Sequence, residues 1–162
     1  MKTIAVIGWK NSGKTTLVSN LVKFFDSQNI KVGVIKHAHH NFDIDHQDTD
    51  SFKIRKSGAY KTTIISEKRM AYIEEKKDKE IDLDKLISLN EGCDLLIFEG
   101  FKKIDNLKKI EVSLKKNNKK PLFVDFKNVK LLVTDEDKNY PIKTLYHNQI
   151  ELIANEILNE FQ

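Results

Sequence analysis

Gly8-Trp9-Lys10-Asn11-Ser12-Gly13-Lys14-Thr15-Thr16 fits the phosphate-binding P-loop pattern G-x-x-x-x-G-K-[ST] from Gly8 to Thr15. The apolar run Ile4-Ala5-Val6-Ile7 comes immediately before it. Leu17, Val18, Leu21, Val22 and Phe25 follow it at helical spacing. A phosphate cradle requires this strand–loop–helix context. Gly8 and Gly13 let the backbone turn and approach an anion without a Cβ in the way. The loop N–H groups and the positive end of the helix dipole then face the phosphates. Gly8, Asn11, Ser12, Gly13, Lys14, Thr15 and Thr16 are therefore the nucleotide-binding candidates. Lys14 would reach the terminal phosphates, and the Thr15 hydroxyl would ligate Mg²⁺.

Strand and helix patterns alternate outward from this loop. The patterns predict a strand over 3–7, a helix over 14–27 and a strand over 31–36. Residues 37–50 are polar and rich in His and Asp. A short helix over 50–57 should end at Gly58. Tyr60 to Ser66 and Met70 to Glu74 read as a hairpin around Glu67-Lys68-Arg69. Leu83, Leu86, Ile87 and Leu89 mark a helix. Asp94 to Glu99, Ile110 to Leu114 and Val129 to Val133 read as strands. Ile150, Ile153, Ala154, Ile157, Leu158 and Phe161 mark a closing helix. Alternation around a P-loop implies an α/β class: a three-layer P-loop NTPase domain with a mostly parallel sheet and an antiparallel hairpin extension. With 162 residues and no Pro-, Gly- or Ser-rich linker, 1–162 is expected to form a single domain.

Composition narrows the classes. One cysteine, Cys93, excludes an intramolecular disulfide and suits a reducing, cytoplasmic setting. The N-terminus enters a strand directly, so no signal peptide is expected. No apolar run approaches the length of a membrane span. The net charge of +4 is concentrated in residues 102–120, where eight lysines face Asp105 and Glu111. This segment reads as a solvated face or as a patch for an anionic ligand or acidic partner. Nucleic acid is not expected as a partner. Arg55 and Arg69 are the chain's arginines, and no aromatic residues interleave with the lysines.

Two further segments add chemistry. Asp94-Leu95-Leu96-Ile97-Phe98-Glu99-Gly100 is an apolar run ending in a carboxylate. Such a strand near a P-loop places its terminal carboxylate at Mg²⁺, which makes Glu99 a magnesium-side candidate. Lys36-His37-Ala38-His39-His40-Asn41-Phe42-Asp43-Ile44-Asp45 follows the second strand, on the P-loop's edge of the sheet. It reads as a nucleotide-sensing or Mg²⁺-linked loop, as a transition-metal site through its histidines, or as a solvated loop. Asp135, after a late strand, could accept hydrogen bonds from a guanine base. The guanine signature N/T-K-x-D is not evident.

Together these blocks resemble the molybdopterin-guanine dinucleotide biosynthesis adapter proteins, the MobB family. The resemblance rests on Gly8…Asn11-Ser12-Gly13-Lys14-Thr15-Thr16-Leu17 and on Ile35-Lys36-His37-Ala38-His39-His40. It extends through Phe42, Asp45, Asp50-Ser51, Arg55-Lys56-Ser57-Gly58-Ala59, Asp94 to Lys102, and Ile110-Glu111-Val112. The resemblance implies a cytosolic, homodimeric GTP-binding protein with weak intrinsic GTPase activity. It implies association with the molybdenum cofactor guanylyltransferase, the enzyme that attaches GMP to molybdopterin. It leaves open whether molybdopterin itself is bound. GTP and Mg²⁺ are the implied cofactors. By position, Gly13, Lys14, Thr15 and Thr16 carry over as phosphate and Mg²⁺ contacts, and Asp45 and Glu99 as magnesium-side carboxylates. Family members often read D-x-P-G-K-D-S after the histidines. This chain reads Asp45-His46-Gln47-Asp48-Thr49-Asp50-Ser51, without the Pro-Gly turn or the lysine. Two other classes stay open: a metal-delivery GTPase using the His37–His40 loop, and a small-molecule kinase. The kinase would need a lid with arginines, for which only Arg55 and Arg69 are available.

Overall fold

The computed structural model describes residues 1–38, 42–76 and 80–160. They form two compact units: Met1–His37 with Leu83–Gln162, and Ala38–Asp82. The first contains β1 (Lys2–Ile7), α1 (Lys14–Ser27), β2 (Val32–Lys36), α3 (Leu83–Ser88), β5 (Leu95–Glu99), β6 (Lys109–Ser113), β7 (Val129–Thr134), β8 (Thr144–Tyr146) and α4 (Ile150–Glu160). The second contains α2 (Asp50–Lys56), β3 (Lys61–Ile65) and β4 (Met70–Glu74).

The strands of the first unit make one sheet in the order β2-β5-β1-β6-β7-β8. Every neighbouring pair is parallel. The expected α/β class and the antiparallel hairpin are both present. Side chains alternate across the sheet with period two. Ile4, Val6, Leu95, Ile97, Ile110, Val112, Leu131 and Val133 face α1 and α4, joining Leu17, Leu21, Phe25, Ile153 and Ile157 in one buried cluster. The expected closing helix is thus the partner of α1 across this core; Phe161 lies outside the described residues.

The opposite face of β6 is charged but buried. Lys109 and Glu111, counted in the sequence among a solvated basic segment, are both inaccessible to solvent. The Lys109 ammonium donates to the carbonyls of Leu107 at 3.1 Å and Lys127 at 3.0 Å. The Glu111 carboxylate accepts the backbone N–H groups of Leu122 at 2.6 Å and Phe123 at 2.8 Å. It thereby caps the 3₁₀ turn Leu122–Val124. Burial pushes the Glu111 carboxyl above the usual range, against the pull of those two N–H groups. A buried charge is tolerated only when hydrogen-bonded, and both residues meet that condition with backbone groups.

In the second unit β3 and β4 pair from Lys61↔Glu74 to Ile65↔Met70. Ser66 N–H donates to the Arg69 carbonyl at 2.8 Å across the turn, as the hairpin reading expects. Thr49 caps α2, accepting the Phe52 N–H on its side chain. Ile64, Ile65, Met70 and Tyr72 are exposed on the hairpin.

Glu111→Ala would leave the buried Leu122 N–H without its acceptor, at a cost of about 1–3 kcal/mol, and the half-buried Phe123 N–H with it. Urea denaturation should show a lower midpoint with an unchanged slope. An unchanged midpoint would assign the 3₁₀ turn's order to other contacts.

Candidate functional site

All strands of the six-stranded sheet run the same way, so their carboxyl ends share one edge. Gly8, His37, Gly100, Asp135 and His147 follow β1, β2, β5, β7 and β8 on that edge. Ligands of open α/β sheets bind there.

The P-loop is held in shape from behind. A Cβ on Gly8 would overlap Ser12 Oγ and the Val112 carbonyl oxygen, so the loop lies directly on the end of β6. Gly13 sits at φ 91°, a left-handed conformation that costs glycine little, and serves as the N-cap of α1. No side chain caps that terminus, and no acidic residue lies in the first turn of α1. Its N–H groups and the positive end of the helix dipole therefore remain available to an anion. Lys14 Nζ folds over the loop and donates to the carbonyls of Trp9 at 2.8 Å and Gly8 at 3.1 Å. Burial holds the Lys14 ammonium below its ordinary pKa; Glu99 opposes this, while Lys36 and Lys102 reinforce it. Three ammonium groups thus act on one small volume, which favours a multiply charged anion.

Thr15 and Glu99 are brought together as expected. Thr15 Oγ1 donates to Glu99 Oε1 at 2.8 Å. Parallel pairing fixes this meeting: Glu99 is level with Val6 on β1 and with Lys36 on β2. Lys36 Nζ lies 3.2 Å from the same Glu99 oxygen and 3.4 Å from Thr15 Oγ1. The end of β5 is anchored on both sides, by Gly100 N–H to the Val6 carbonyl and by His37 N–H to the Glu99 carbonyl. Phe101 turns back at φ 56° and packs edge-on against Phe98 and at a tilt against His37. His37 itself is exposed and belongs to the first unit. His39 and His40 lie outside the described residues. Among the described residues no group of three or more His, Cys, Asp or Glu side chains is placed to hold a metal ion.

The lysine-rich segment reaches this site. Trp9 Nε1 donates to the Lys120 carbonyl at 2.9 Å. The Lys102 ammonium lies 5.2 Å from the Trp9 ring centroid and 5.8 Å from that of Phe126, within cation–π range of both. Asp135 is exposed beyond β7, and its Oδ1 accepts the Lys115 N–H at 2.7 Å. His147, which lies in no motif of the sequence, backs Gly13: its Cε1 would be 3.3 Å from a Cβ there. His147 Nε2 is buried without a hydrogen-bond partner, and burial keeps the ring below its ordinary pKa.

Asp45 belongs to the second unit. Arg55, itself buried, donates to Asp45 at 2.6 Å and to Glu75 at 2.7 Å, and also binds Asp43. Its guanidinium is engaged by three carboxylates within that unit. The hydrogen bonds from Arg55 are the largest cause holding the Asp45 carboxyl below the usual carboxylate range.

The family described as "Molybdopterin guanine dinucleotide synthesis protein B" matches residues 3–135. The chain belongs to this MobB family. The molybdopterin-guanine dinucleotide biosynthesis adapter protein of Escherichia coli is 32% identical, covering 98% of this chain and 93% of its own length. A crystal structure titled as molybdopterin-guanine biosynthesis protein B superposes with a TM-score of 0.78 at 28% identity, covering 98% of this chain and 99% of that one. Bacillus subtilis MobB gives a TM-score of 0.76 at 20% identity over 100% of this chain and 99% of that one, which speaks to the fold alone. The whole chain thus has the MobB fold, including the hairpin. Among the described residues no helix is long and apolar enough to cross a membrane.

The Arg55 hub predicts that the second unit loses stability in acid. Asp45 has a depressed pKa in the folded state, so its contribution is present above the unfolded carboxylate value and lost as pH falls through the folded one. Hydrogen-exchange protection over residues 42–50, corrected for the intrinsic pH dependence of exchange, should fall below the ordinary carboxylate pKa of about 3.9. Arg55→Met should produce the same loss of protection at neutral pH. Equal protection in the variant would show that other contacts order the segment.

Proposed function

We propose that this MobB-family protein binds GTP with Mg²⁺ at the P-loop and acts as an adapter in making molybdopterin guanine dinucleotide. Its partner in this reading is the molybdenum cofactor guanylyltransferase. The observation that carries the nucleotide part is the Thr15–Glu99 contact beside Lys14, at the uncapped N-terminus of a helix. Thr15 and Glu99 offer hard oxygen donors of the kind Mg²⁺ takes, few in number and adjacent to where phosphate would lie. When bound, Mg²⁺ neutralises charge on the terminal phosphates. Gly8, Asn11, Ser12, Gly13 and Thr16 line the cradle, and Lys14 exchanges loop carbonyls for phosphate oxygens. Asp135 is the proposed guanine contact, and preference for GTP over ATP rests on family membership. The exposed Ile64, Ile65, Met70 and Tyr72 support a homodimer, since such apolar area is usually covered by a partner. A cytoplasmic location belongs to the same reading.

An adapter needs to hold a nucleotide more than to turn it over. With Arg55 committed to three carboxylates, this reading gives the site no internal arginine finger. Such a finger is worth roughly 10³–10⁵ in rate.

Lys14→Ala should abolish GTP binding measured by calorimetry while leaving the circular dichroism spectrum unchanged. Charge-assisted hydrogen bonds contribute about 1.5–3 kcal/mol each, and Lys14 supplies more than one. Near wild-type affinity in the variant would move the nucleotide away from the P-loop. Phosphate release from GTP by the purified protein should be far below the median enzyme turnover of about 10 s⁻¹. Enzyme-like release would require a catalytic group that this reading lacks.

A further inference from the structure

Glu99 is buried and Lys36 is not: their side chains are 8% and 60% exposed. A carboxylate removed from water needs a cation close by. Lys36 supplies it, at 3.2 Å from Glu99 Oε1, and also reaches Thr15 Oγ1 at 3.4 Å. The two oxygens that hold the ammonium are the two that the Mg²⁺ reading requires. A monovalent ammonium and a divalent ion cannot both sit against the same pair of oxygens. The fixed partner is Glu99, locked by strand pairing. The movable one is Lys36, on a flexible four-carbon stem at the open end of β2.

We propose that Lys36 is the resident counter-ion of this metal site, so that a divalent cation gains Thr15 and Glu99 only when Lys36 releases them. The inference rests on the Mg²⁺–nucleotide reading above and extends it to the order of events. Without phosphates, displacing Lys36 strands an ammonium beside a divalent ion, and the protein alone holds metal poorly. With a nucleotide in the cradle, the released ammonium has phosphate oxygens to pair with, and metal entry becomes favourable. Metal and nucleotide therefore bind with positive coupling, and Lys36 is the group that couples them.

The test uses the full chain and Mn²⁺ as a spectroscopic stand-in for Mg²⁺, with free Mn²⁺ counted by electron paramagnetic resonance. Lys36→Met keeps the stem and removes the charge, and Lys36→Gln provides a second neutral variant. Both change an exposed side chain, and the folded spectrum of each is checked first. Without nucleotide, both variants should bind Mn²⁺ more tightly than the wild type. The gain should be roughly tenfold or more, the scale on which charges at contact distance repel even when water screens them. Adding Glu99→Gln to Lys36→Met should remove the gain. Mn²⁺ affinity that is unchanged or weaker in the neutral variants overturns the proposal. A separate arm titrates the wild type with GTP and Mg²⁺. Failure there sinks the nucleotide reading, whereas failure of the nucleotide-free Mn²⁺ arm alone sinks only the role of Lys36.

Discussion

The parallel register across β2, β5 and β1 places Lys36, Glu99 and Val6 at one level, immediately before the chain leaves the sheet on each strand. Everything at the site follows from that alignment. Glu99 meets the first turn of α1 because β5 ends beside β1 and the P-loop follows β1 at once. A slip of one residue would turn every side chain of β5 to the other face. Glu99 would then point away from Thr15, and Phe98 would leave its contact with Phe101. The apolar alternation that buries Leu95 and Ile97 against α1 and α4 is therefore also what aims the carboxylate. Packing sets the register, and the register sets the chemistry.

The loop itself is supported by groups that never touch a phosphate. The Val112 carbonyl and Ser12 leave no room for a side chain at Gly8, and His147 and Leu114 crowd Gly13. Glu111, one residue before Val112, organises the 3₁₀ turn that follows Lys120, and Lys120 in turn holds Trp9. β6 thus fixes the cradle twice, once directly and once through the turn it caps. This gives the buried carboxyl of Glu111 a structural purpose: each of its two oxygens accepts one of the N–H groups that open the turn.

Much of this architecture was legible in the sequence, for physical reasons. Long periodic segments with strong breakers, such as Gly13 before α1 and Gly58 after α2, announce themselves. So does the apolar run closed by Glu99. β8 did not, because three residues, Thr144–Tyr146, carry too little alternation to stand out from a coil. The burial of Lys109 and Glu111 is not legible in the sequence, because a charged residue is exposed by default and only the backbone groups that satisfy them reverse that default. Arg55 looked available in the sequence; its three carboxylate partners are spread from Asp43 to Glu75, and no local pattern reveals their convergence. The same holds for Lys36. In the motif around it the histidines draw the eye, and the reach of the lysine to Thr15, 21 residues away, and to Glu99, opposite it in register, shows only in the fold.

Trp9 is the chain's one tryptophan, and it stands inside the phosphate loop. Its indole N–H is tied to Lys120, and an ammonium lies over its ring. Both contacts influence the emission of an indole, through its polarity and through nearby charge. Light absorbed at the red edge of the protein spectrum excites tryptophan and not the four tyrosines. The chain therefore carries its own optical probe at the loop, with no second indole to dilute the signal. Rearrangement of Lys14, Lys102 or the turn at Lys120 alters the surroundings of that probe directly. Occupancy of the loop can be followed in the unmodified protein, without a label that would itself disturb so crowded a cradle.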